Sequence, residues 1–241
     1  MIQELKNCLC WYINMYDIVY FIKEGRENEE LRYSLRSLKN FPHGKVWIYG
    51  GCPKGIKPDH YIYVEQSEHN KWQNVSKMLR LAFSNPKISK KFWLFNDDFF
   101  VMQKVENPTN HYNGDLYKRI VLLEDKYGEI TEYSKLLRGC CKELEALGAT
   151  TLNYTLHVPM LFDRKKAIEL FSLTDFPGFR SLYANYFKIG GTPMKDNKIT
   201  SLTKKYKEGI YLSTHENSFK NGEVGKQIRE LFPNKCKYER S

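Results

Sequence analysis

The sequence predicts an α/β protein built on a mostly parallel sheet that is covered by helices on both faces. Short apolar segments alternate with longer segments of helical periodicity, an order typical of parallel strands joined by crossover helices. The 241 residues, 41% of them hydrophobic and 15% aromatic, are enough for one large core. No internal repeat or low-complexity linker divides the sequence. We therefore expect one domain over residues 1–241 with elaborated C-terminal elements.

The elements of the first half follow from apolar runs and helix caps. Residues 17–22 are apolar after Asp17 and predict a buried strand. A helix is expected at 28–39, because Asn28 can cap its start and Pro42 follows its end. Further strands are expected at 45–49, 61–65 and 92–95, the last running into Asn96, Asp97 and Asp98 and resuming at 99–101, and a helix is expected at 70–83.

The second half is predicted to begin with a loop. Residues 106–127 are polar and contain the turn pairs Asn107-Pro108 and Asn113-Gly114, which is typical of an active-site loop. Beyond it the patterns predict helices at 130–147, 164–171, 179–187 and 224–231, and strands at 152–162 and 210–212.

Composition excludes several classes of protein. No window approaches the ~18 to 20 unbroken apolar residues of a membrane span, and residues 1–10 carry Glu4 and Lys6 where a secretory signal is apolar. We therefore expect a cytoplasmic protein without a membrane span, in a bacterium or a phage-infected host. The six cysteines lack C-x-x-C spacing, which argues against a zinc cluster or a disulfide framework.

The charge balance concerns partners rather than fold. A formal charge of +10 raises the local concentration of anions and speeds encounter with polyanions. The same charge is also compatible with a basic surface that has no polyanionic partner.

The strongest chemical signal is the polar segment Asn96, Asp97 and Asp98, which directly follows a strand of bulky apolar residues. Two adjacent carboxylates repel each other, so a cation is their natural partner. Mg²⁺ or Mn²⁺ prefers one or two carboxylates together with phosphate oxygens. Because residues two apart share a face of a strand, Asn96 and Asp98 are expected to hold the metal while Asp97 turns towards a neighbour. The alternative is a pair of aspartates that cap the following turn.

Two helices carry candidate ligands for a nucleotide diphosphate. Arg32 and Arg36 lie four apart on one helix face, from which they could fork onto phosphate oxygens, although a solvated face paired with acidic neighbours is the alternative. Asn74 and Lys77 lie one turn apart on the helix before the Asp97 strand, where they could reach a base or diphosphate. Asp17 could hold the uracil or ribose of a donor.

Candidate acid–base groups are fewer. His157 lies in an apolar strand, where a buried core histidine is the default, yet histidine is the side chain best tuned for proton transfer near neutral pH. Asp115, in the predicted polar loop, and Asp163 are candidate bases for the proton of an acceptor hydroxyl.

Several of these residues carry a resemblance to the Stealth sugar-phosphate transferases. The run from Asn28 to Leu38, followed by the strand from Val46 to Tyr49, resembles the second sequence block of that family. The segment Asp17 to Tyr20 is similar to the first block, and Phe95 to Phe100 resembles the family's Phe-Asn-Asp-Asp segment. Leu156-His157-Val158-Pro159 resembles the third block and Phe179-Arg180-Ser181 the fourth. The blocks occur in the family's order and together cover most of residues 17–187.

The resemblance implies a GT-A-like (Rossmann-like) nucleotide-sugar site. It assigns residues 17–103 to the nucleotide-sugar and metal-binding half and residues 104–241 to the acceptor side. It places Arg32 and Arg36 near the donor and gives His157 a catalytic or acceptor-binding role, with Asp97 as a further catalytic residue. His215 looks like the C-terminal histidine that supplies a metal ligand in many GT-A enzymes.

The expected activity is therefore metal-dependent transfer of a sugar from a UDP-sugar, or another nucleoside-diphosphate sugar, to a hydroxyl. Asp98 with Asn96, Asp97 or His215 would hold Mn²⁺ or Mg²⁺. The small size, the absence of a membrane span and the +10 charge favour a cytoplasmic polyanion as acceptor, and a hydroxymethylated base in phage-type DNA would satisfy all three. One alternative is transfer of sugar-1-phosphate in capsule or cell-wall synthesis, as the family resemblance implies. The other is an inactive module that binds nucleic acid or glycan.

Overall fold

The computed structural model describes residues 15–25, 27–67, 71–174, 176 and 178–240. The expectation concerning residues 1–10 and the predicted helix start at Asn70 lie outside these ranges. Among the described residues, no helix combines the length and the apolar character that a membrane crossing requires.

A five-stranded mixed sheet forms the centre of the molecule, in the order β3-β2-β1-β4-β7. The strands β1 (Asp17–Ile22), β2 (Val46–Gly50), β3 (His60–Tyr63) and β4 (Lys91–Phe95) are parallel to one another. The edge strand β7 (Met160–Asp163) runs antiparallel to β4. The predicted α/β class with a mostly parallel sheet is therefore confirmed.

Two crossover helices of the first half were correctly predicted. Helix α1 (Glu29–Ser37) starts at Asn28, whose side chain accepts a hydrogen bond from the backbone N–H of Leu31, and it continues into a short 3-10 turn at Leu38–Asn40. Helix α2 (Lys71–Ser84) connects β3 to β4. Both helices return the chain to the same edge, so that the four parallel strands end together.

The expected loop at 106–127 is wrong over its second part. Residues 116–127 form helix α3 (Leu116–Tyr127), which Asp115 caps by accepting from the backbone N–H of Tyr117. The helix is stabilised by burial of Leu116, Ile120 and Leu123, whose three- and four-residue spacing forms an apolar stripe on an otherwise polar segment. A short strand β6 (His111–Tyr112) precedes it and pairs with β8 (Thr192–Pro193).

The predicted strand at 152–162 is also too long. Only Met160–Asp163 joins the central sheet, because the residues before it bond to the turn preceding α3 instead, with Asn113 N–H donating to Asn153 O and Leu116 N–H to Thr151 O. The remaining predicted helices are confirmed with small changes at their ends. They are α4 (Glu132–Ala146), α5 (Arg164–Leu173), α6 (Phe179–Tyr186) and α8 (Glu223–Leu231).

A second sheet lies beside the end of β4. Residues 96–98 form a turn, so β5 (Phe99–Val101) does not resume β4 but pairs antiparallel with β10 (Tyr211–Thr214). Strand β9 (Lys198–Ile199) runs parallel to β10 on its other side, and helix α7 (Glu216–Asn221) follows β10. This turn carries the polar segment from one sheet to the other.

Apolar side chains cover both faces of the central sheet. Val19 and Phe92 pack into a cluster that includes residues of helices α2 to α6. Their sequence neighbours Ile18 and Trp93 point the opposite way and pack against α1 and residues near the C-terminus. Because every second residue faces the same side of a strand, these fully apolar strands require cover on both faces.

Candidate active site

A cavity of about 890 Å³ opens beyond the carboxyl ends of the parallel strands. One wall is formed by residues at and beyond the ends of β1 and β4, together with α2. A second wall is formed by residues 155–157, α4 and the start of α6. Ligands of open α/β sheets bind at this edge, beyond the carboxyl ends of the strands. Four of the predicted site residues line the cavity: Asn74, Asn96, Asp97 and His157.

Asp97 lies on the first wall and is held by a neighbouring amide. Asn28 Nδ2 donates to Asp97 Oδ2 at 2.6 Å, while Asn28 Oδ1 accepts from Leu31 N at 2.9 Å. Burial raises the pKa of the Asp97 carboxyl above its usual range; the Asn28 bond lowers it, and the nearby Asp98 charge raises it again. The carboxylate thus has one fixed orientation and an environment that favours a proton or a cation beside it.

Asp98 does not share the cavity with Asn96, contrary to the expectation from strand periodicity. Its carboxylate oxygen accepts from Lys198 Nζ at 3.0 Å and from Ser213 Oγ at 2.8 Å, and so contacts the second sheet. The two-residue period fails here because residues 96–98 form a turn. Asn96 and Asp97 are therefore the polar pair that faces the cavity.

Glu30 adds a third carboxyl group to this region. Its Oε1 accepts from Thr214 Oγ1 at 2.6 Å. Burial raises the pKa of Glu30 to about 7; the Thr214 bond opposes this shift, whereas the charges of Asp97 and Asp98 add to it. Such a pKa makes Glu30 half-protonated near neutral pH, which limits the negative charge around Asp97.

His157 and Asp196 form a dyad on the second wall. The backbone N–H of His157 donates to Asp196 Oδ1 at 3.0 Å, and His157 Nδ1 lies 2.8 Å from Asp196 Oδ2. Burial alone would raise the pKa of Asp196, but the bonds to His157 lower it below its usual value. A carboxylate on Nδ1 favours the tautomer that carries its proton there, so Nε2 is the nitrogen left to act as a base.

Arg180 provides a cation on the same wall. Its Nε donates to Tyr154 O at 3.2 Å and its Nη2 to Val158 O at 2.6 Å. Burial lowers the pKa of Arg180 to about 10, so the side chain stays charged at neutral pH. Within the described ranges, no carboxylate forms an ion pair with it.

The structure places both predicted arginines away from the cavity. Arg36 is buried and forms a bidentate ion pair with Glu239, at 2.7 and 2.8 Å, while its Nη1 donates to the carbonyl oxygens of Phe232 and Pro233. Arg32 Nε lies 3.8 Å from the same Glu239 carboxylate. The four-residue spacing correctly puts them on one helix face, but that face contacts the C-terminal segment. Neither side chain lines the cavity.

Asp17 and Lys77 are also held elsewhere. Asp17 begins β1, at the opposite edge of the sheet, and its carboxylate accepts from Lys45 N–H, Trp47 Nε1 and Ser89 N–H at 2.9, 2.9 and 3.1 Å. Lys77 Nζ donates to Glu65 O at 3.0 Å on the surface. Of the predicted residues on α2, only Asn74 faces the cavity.

Asp115 and His215 serve as helix caps. Asp115 caps α3 and also accepts a short hydrogen bond from the Thr151 hydroxyl. His215 is exposed and caps α7, where its Nδ1 accepts from the Asn217 N–H at 3.4 Å. Neither residue lines the cavity, so the expected metal set of Asn96, Asp98 and His215 is not brought together there.

The donors that face the cavity suit only a metal that takes most of its ligands from substrate. Among the described residues, no group of three or more His, Cys, Asp or Glu side chains converges as a metal site. Asn96 and Asp97 nevertheless supply an amide and a carboxylate oxygen side by side, which is the small protein share that Mg²⁺ uses beside a diphosphate. The residues therefore fit a substrate-bridged ion and do not form a complete protein cage.

Two site residues were missed by sequence reasoning. Asp196 is 39 positions from His157 and lies in a lysine-rich segment with no local signal. Arg180 was marked only through the resemblance of its segment to a family block. Comparison of the chain with protein-family models and with curated proteins gives no match. The resemblance to the Stealth family thus rests on the sequence blocks themselves.

Proposed function

We propose that this protein is a nucleotide-sugar-dependent transferase with a GT-A-like donor site, which moves a sugar from a nucleoside-diphosphate donor to a hydroxyl. The observation that supports the proposal best is that candidate metal ligands, a cation and a candidate base line the same cavity. Asn96 and Asp97 line it beyond the end of β4, and Arg180 and His157, whose ring contacts Asp196, line it as well. Such a transfer requires stabilisation of the anionic leaving group and an acceptor for the proton of the hydroxyl. Asn96, Asp97 and Arg180 are suited to the first requirement and His157 to the second.

In this proposal, Arg180 and a bound metal ion would stabilise the departing diphosphate. Arg180 donates hydrogen bonds to phosphate oxygens, for which a planar guanidinium is well suited. Asn96 and Asp97 would hold Mg²⁺ or Mn²⁺ against the diphosphate, and the ion would supply Lewis-acid stabilisation of its charge. Asn28 acts by fixing the direction of the Asp97 carboxylate.

His157 takes the proton of the acceptor. Its Nε2 removes the hydroxyl proton as the acceptor oxygen bonds to the anomeric carbon, and the bond from that carbon to the diphosphate breaks. The electron pair leaves with the nucleoside diphosphate. Asp196 stabilises the imidazolium that forms, because its carboxylate lies 2.8 Å from Nδ1.

A second candidate is transfer of sugar-1-phosphate. It is favoured by the location of Arg180 on the same wall as the base, since a guanidinium there suits attack at phosphorus as well as stabilisation of a leaving group. In that reaction the acceptor oxygen bonds to the phosphorus next to the sugar, the bridging P–O bond breaks, and a nucleoside monophosphate leaves.

The test is product analysis. The protein is incubated with UDP-sugars, Mn²⁺ and a panel of hydroxyl acceptors that includes glycans and duplex DNA with hydroxymethylated pyrimidines. Release of UDP with a hexose mass increment on the acceptor supports glycosyl transfer, and release of UMP with a hexose-phosphate increment supports the second candidate. Lys77→Ala, which changes a surface side chain outside the cavity, should behave as wild type, whereas His157→Ala should not. Absence of both products across donors and acceptors would overturn the proposal.

A further inference from the structure

Two aromatic rings that stack on each other line the cavity. Trp72 of α2 and Tyr133 of α4 are stacked with an interplanar angle of 17° and a centroid distance of 6.0 Å, and both line the cavity. Lys71 Nζ lies 4.5 Å from the centroid of the Trp72 ring. The rings come from two different helices, so the pair joins the α2 and α4 parts of the cavity lining. We call Trp72 and Tyr133 the aromatic pair.

The aromatic pair lies next to the proposed catalytic groups. Burial raises the pKa of the Tyr133 hydroxyl, and its hydrogen bond to Thr155 partly opposes this shift. The charge of Asp196 raises the same pKa and that of Arg180 lowers it. Thr155 itself lines the cavity two residues before His157. A ring stacked on the pair would therefore lie within the same cavity as a diphosphate bound by Arg180.

Two amide side chains also line the cavity. Asn74, on the same helix as Trp72, is buried and lines the cavity, as does Gln66, whose Nε2 donates to Ile22 O at 2.8 Å. An amide presents a donor and an acceptor side by side, which matches the edge of a nucleobase. Lys23 and Lys71 also line the cavity and can approach phosphates. Aromatic rings can stack on the face of a nucleobase, amides can bond to its edge, and cations can bind the phosphates.

We propose that the aromatic pair is the stacking surface for the nucleobase of the donor, with Asn74 and Gln66 along the base edge. This inference rests on the proposed function, because it names where the nucleotide part of the substrate binds. Stacking of a base on an aromatic side chain contributes about 1–3 kcal/mol, which corresponds to a change in Kd of about 5- to 150-fold.

The experiment compares ligands with and without a base. Binding of UDP, GDP, ribose 5-phosphate and inorganic pyrophosphate, each with Mn²⁺, is measured by calorimetry for wild type, Trp72→Ala and Trp72→Phe. Leu81→Ala is the matched control, since Leu81 lies on the same helix and is 44% exposed outside the cavity. Trp72→Ala should weaken the tighter nucleoside diphosphate about 5- to 150-fold and leave pyrophosphate unchanged, with Trp72→Phe retaining most of the affinity.

Fluorescence gives an independent readout on the intact protein. The sequence has four tryptophans, of which Trp47 and Trp93 are only 2% and 1% exposed. With Trp11, which lies outside the described residues, replaced by Phe in both proteins, quenching by a nucleotide should come mainly from Trp72 and disappear in Trp72→Phe. If UDP and GDP bind wild type and Trp72→Ala equally, or if Trp72→Ala weakens pyrophosphate as much, the stacking site is wrong and the proposed function stands. If wild type binds neither nucleoside diphosphate, both proposals are overturned.

Discussion

The two ends of the parallel strands each carry an aspartate, and these aspartates have different surroundings. At the amino-terminal edge, Asp17 accepts hydrogen bonds from two backbone N–H groups and the Trp47 indole. At the carboxyl-terminal edge, Asp97 has Asn28 as a side-chain donor, faces a cavity, and has a raised pKa because it is buried beside another carboxylate. Asp17 holds neighbouring backbone segments in place through its hydrogen bonds, whereas Asp97 has carboxylate lone pairs that a ligand can use.

Arg36 and Arg180 differ in the same way as Asp17 and Asp97. Arg36 has a bidentate carboxylate partner and two carbonyl partners, which makes it a clamp for the C-terminal segment. Arg180 bonds only to carbonyl oxygens in the described part of the chain and lies on the cavity wall. In both pairs, the side chain that already has matched partners within the protein is structural, and the other is the candidate for binding.

The largest effect is expected at the dyad. His157→Ala should lower kcat by about 10²- to 10⁴-fold, since it removes the proposed proton acceptor. Asp196→Asn should cost about 10- to 100-fold, because it acts only by orienting and stabilising the ring. Steady-state kinetics with the best donor measures both, and an Asp196→Asn loss equal to that of His157→Ala at unchanged stability would contradict the assigned roles.

Asp97→Asn should lower kcat/KM by about 10²- to 10³-fold while leaving the melting temperature unchanged or higher. The carboxylate is unfavourable in its buried site, so the neutral amide removes an electrostatic cost on folding. Activity assays and thermal melts on the same preparation test the two parts together. A variant that keeps full activity would remove Asp97 from the site.

Asp17→Ala is expected to show the opposite pattern. It leaves two backbone N–H groups and the Trp47 indole without their acceptor, and should lower the free energy of unfolding by about 3 kcal/mol. The folded fraction should keep wild-type nucleotide affinity, measured by calorimetry below the melting transition. A specific loss of affinity with unchanged stability would place Asp17 in the donor site after all.

The smallest effect distinguishes two neighbouring glutamates by pH. The pKa of Glu30 is raised to about 7 from 4.5, so the folded state keeps a proton that the unfolded state loses, and stability falls as pH rises through that interval. Glu30→Gln should therefore melt a few degrees higher than wild type at pH 8.5 and about the same at pH 4.

Glu29 is the matched control on the same helix turn. Its bond to Arg229 lowers its pKa, so its contribution is present above the unfolded pKa and is lost as pH falls. Glu29→Gln should lower the melting temperature slightly at pH 8.5, which is the opposite sign. Equal responses of the two variants would show that the surroundings of Glu30 are not as described.

Local sequence signals predicted the elements that local interactions determine. The Asn28 cap and the apolar strands were found because each is encoded within a few residues, whereas the turn at 96–98 was expected to continue as a strand. Helix α3 was missed because its three buried residues lie among nine polar, charged or exposed positions that mask the period. The short strand β9, which supplies Lys198 to Asp98, carries no apolar run that a pattern could detect.

The partners of the site residues were less accessible to sequence reasoning. Spacing places Arg32 and Arg36 on one helix face, but only the folded chain shows that Glu239, 203 positions from Arg36, occupies that face. The His157–Asp196 pair depends likewise on a contact between distant segments. Residue chemistry could therefore nominate His157 and Asp97, whereas their partners required the three-dimensional arrangement.

The most direct test of the central claim is a thermal melt of wild type, Asp17→Ala and Asp97→Asn with and without UDP and Mn²⁺. A ligand that binds only the folded state raises the melting temperature, and the shift grows with the logarithm of the ratio of ligand concentration to Kd. We expect UDP with Mn²⁺ to raise that of wild type, to raise that of the destabilised Asp17→Ala by a similar amount, and to leave Asp97→Asn nearly unshifted. An unshifted wild type across UDP, GDP and TDP, or an Asp97→Asn shift as large as that of wild type, would contradict the account.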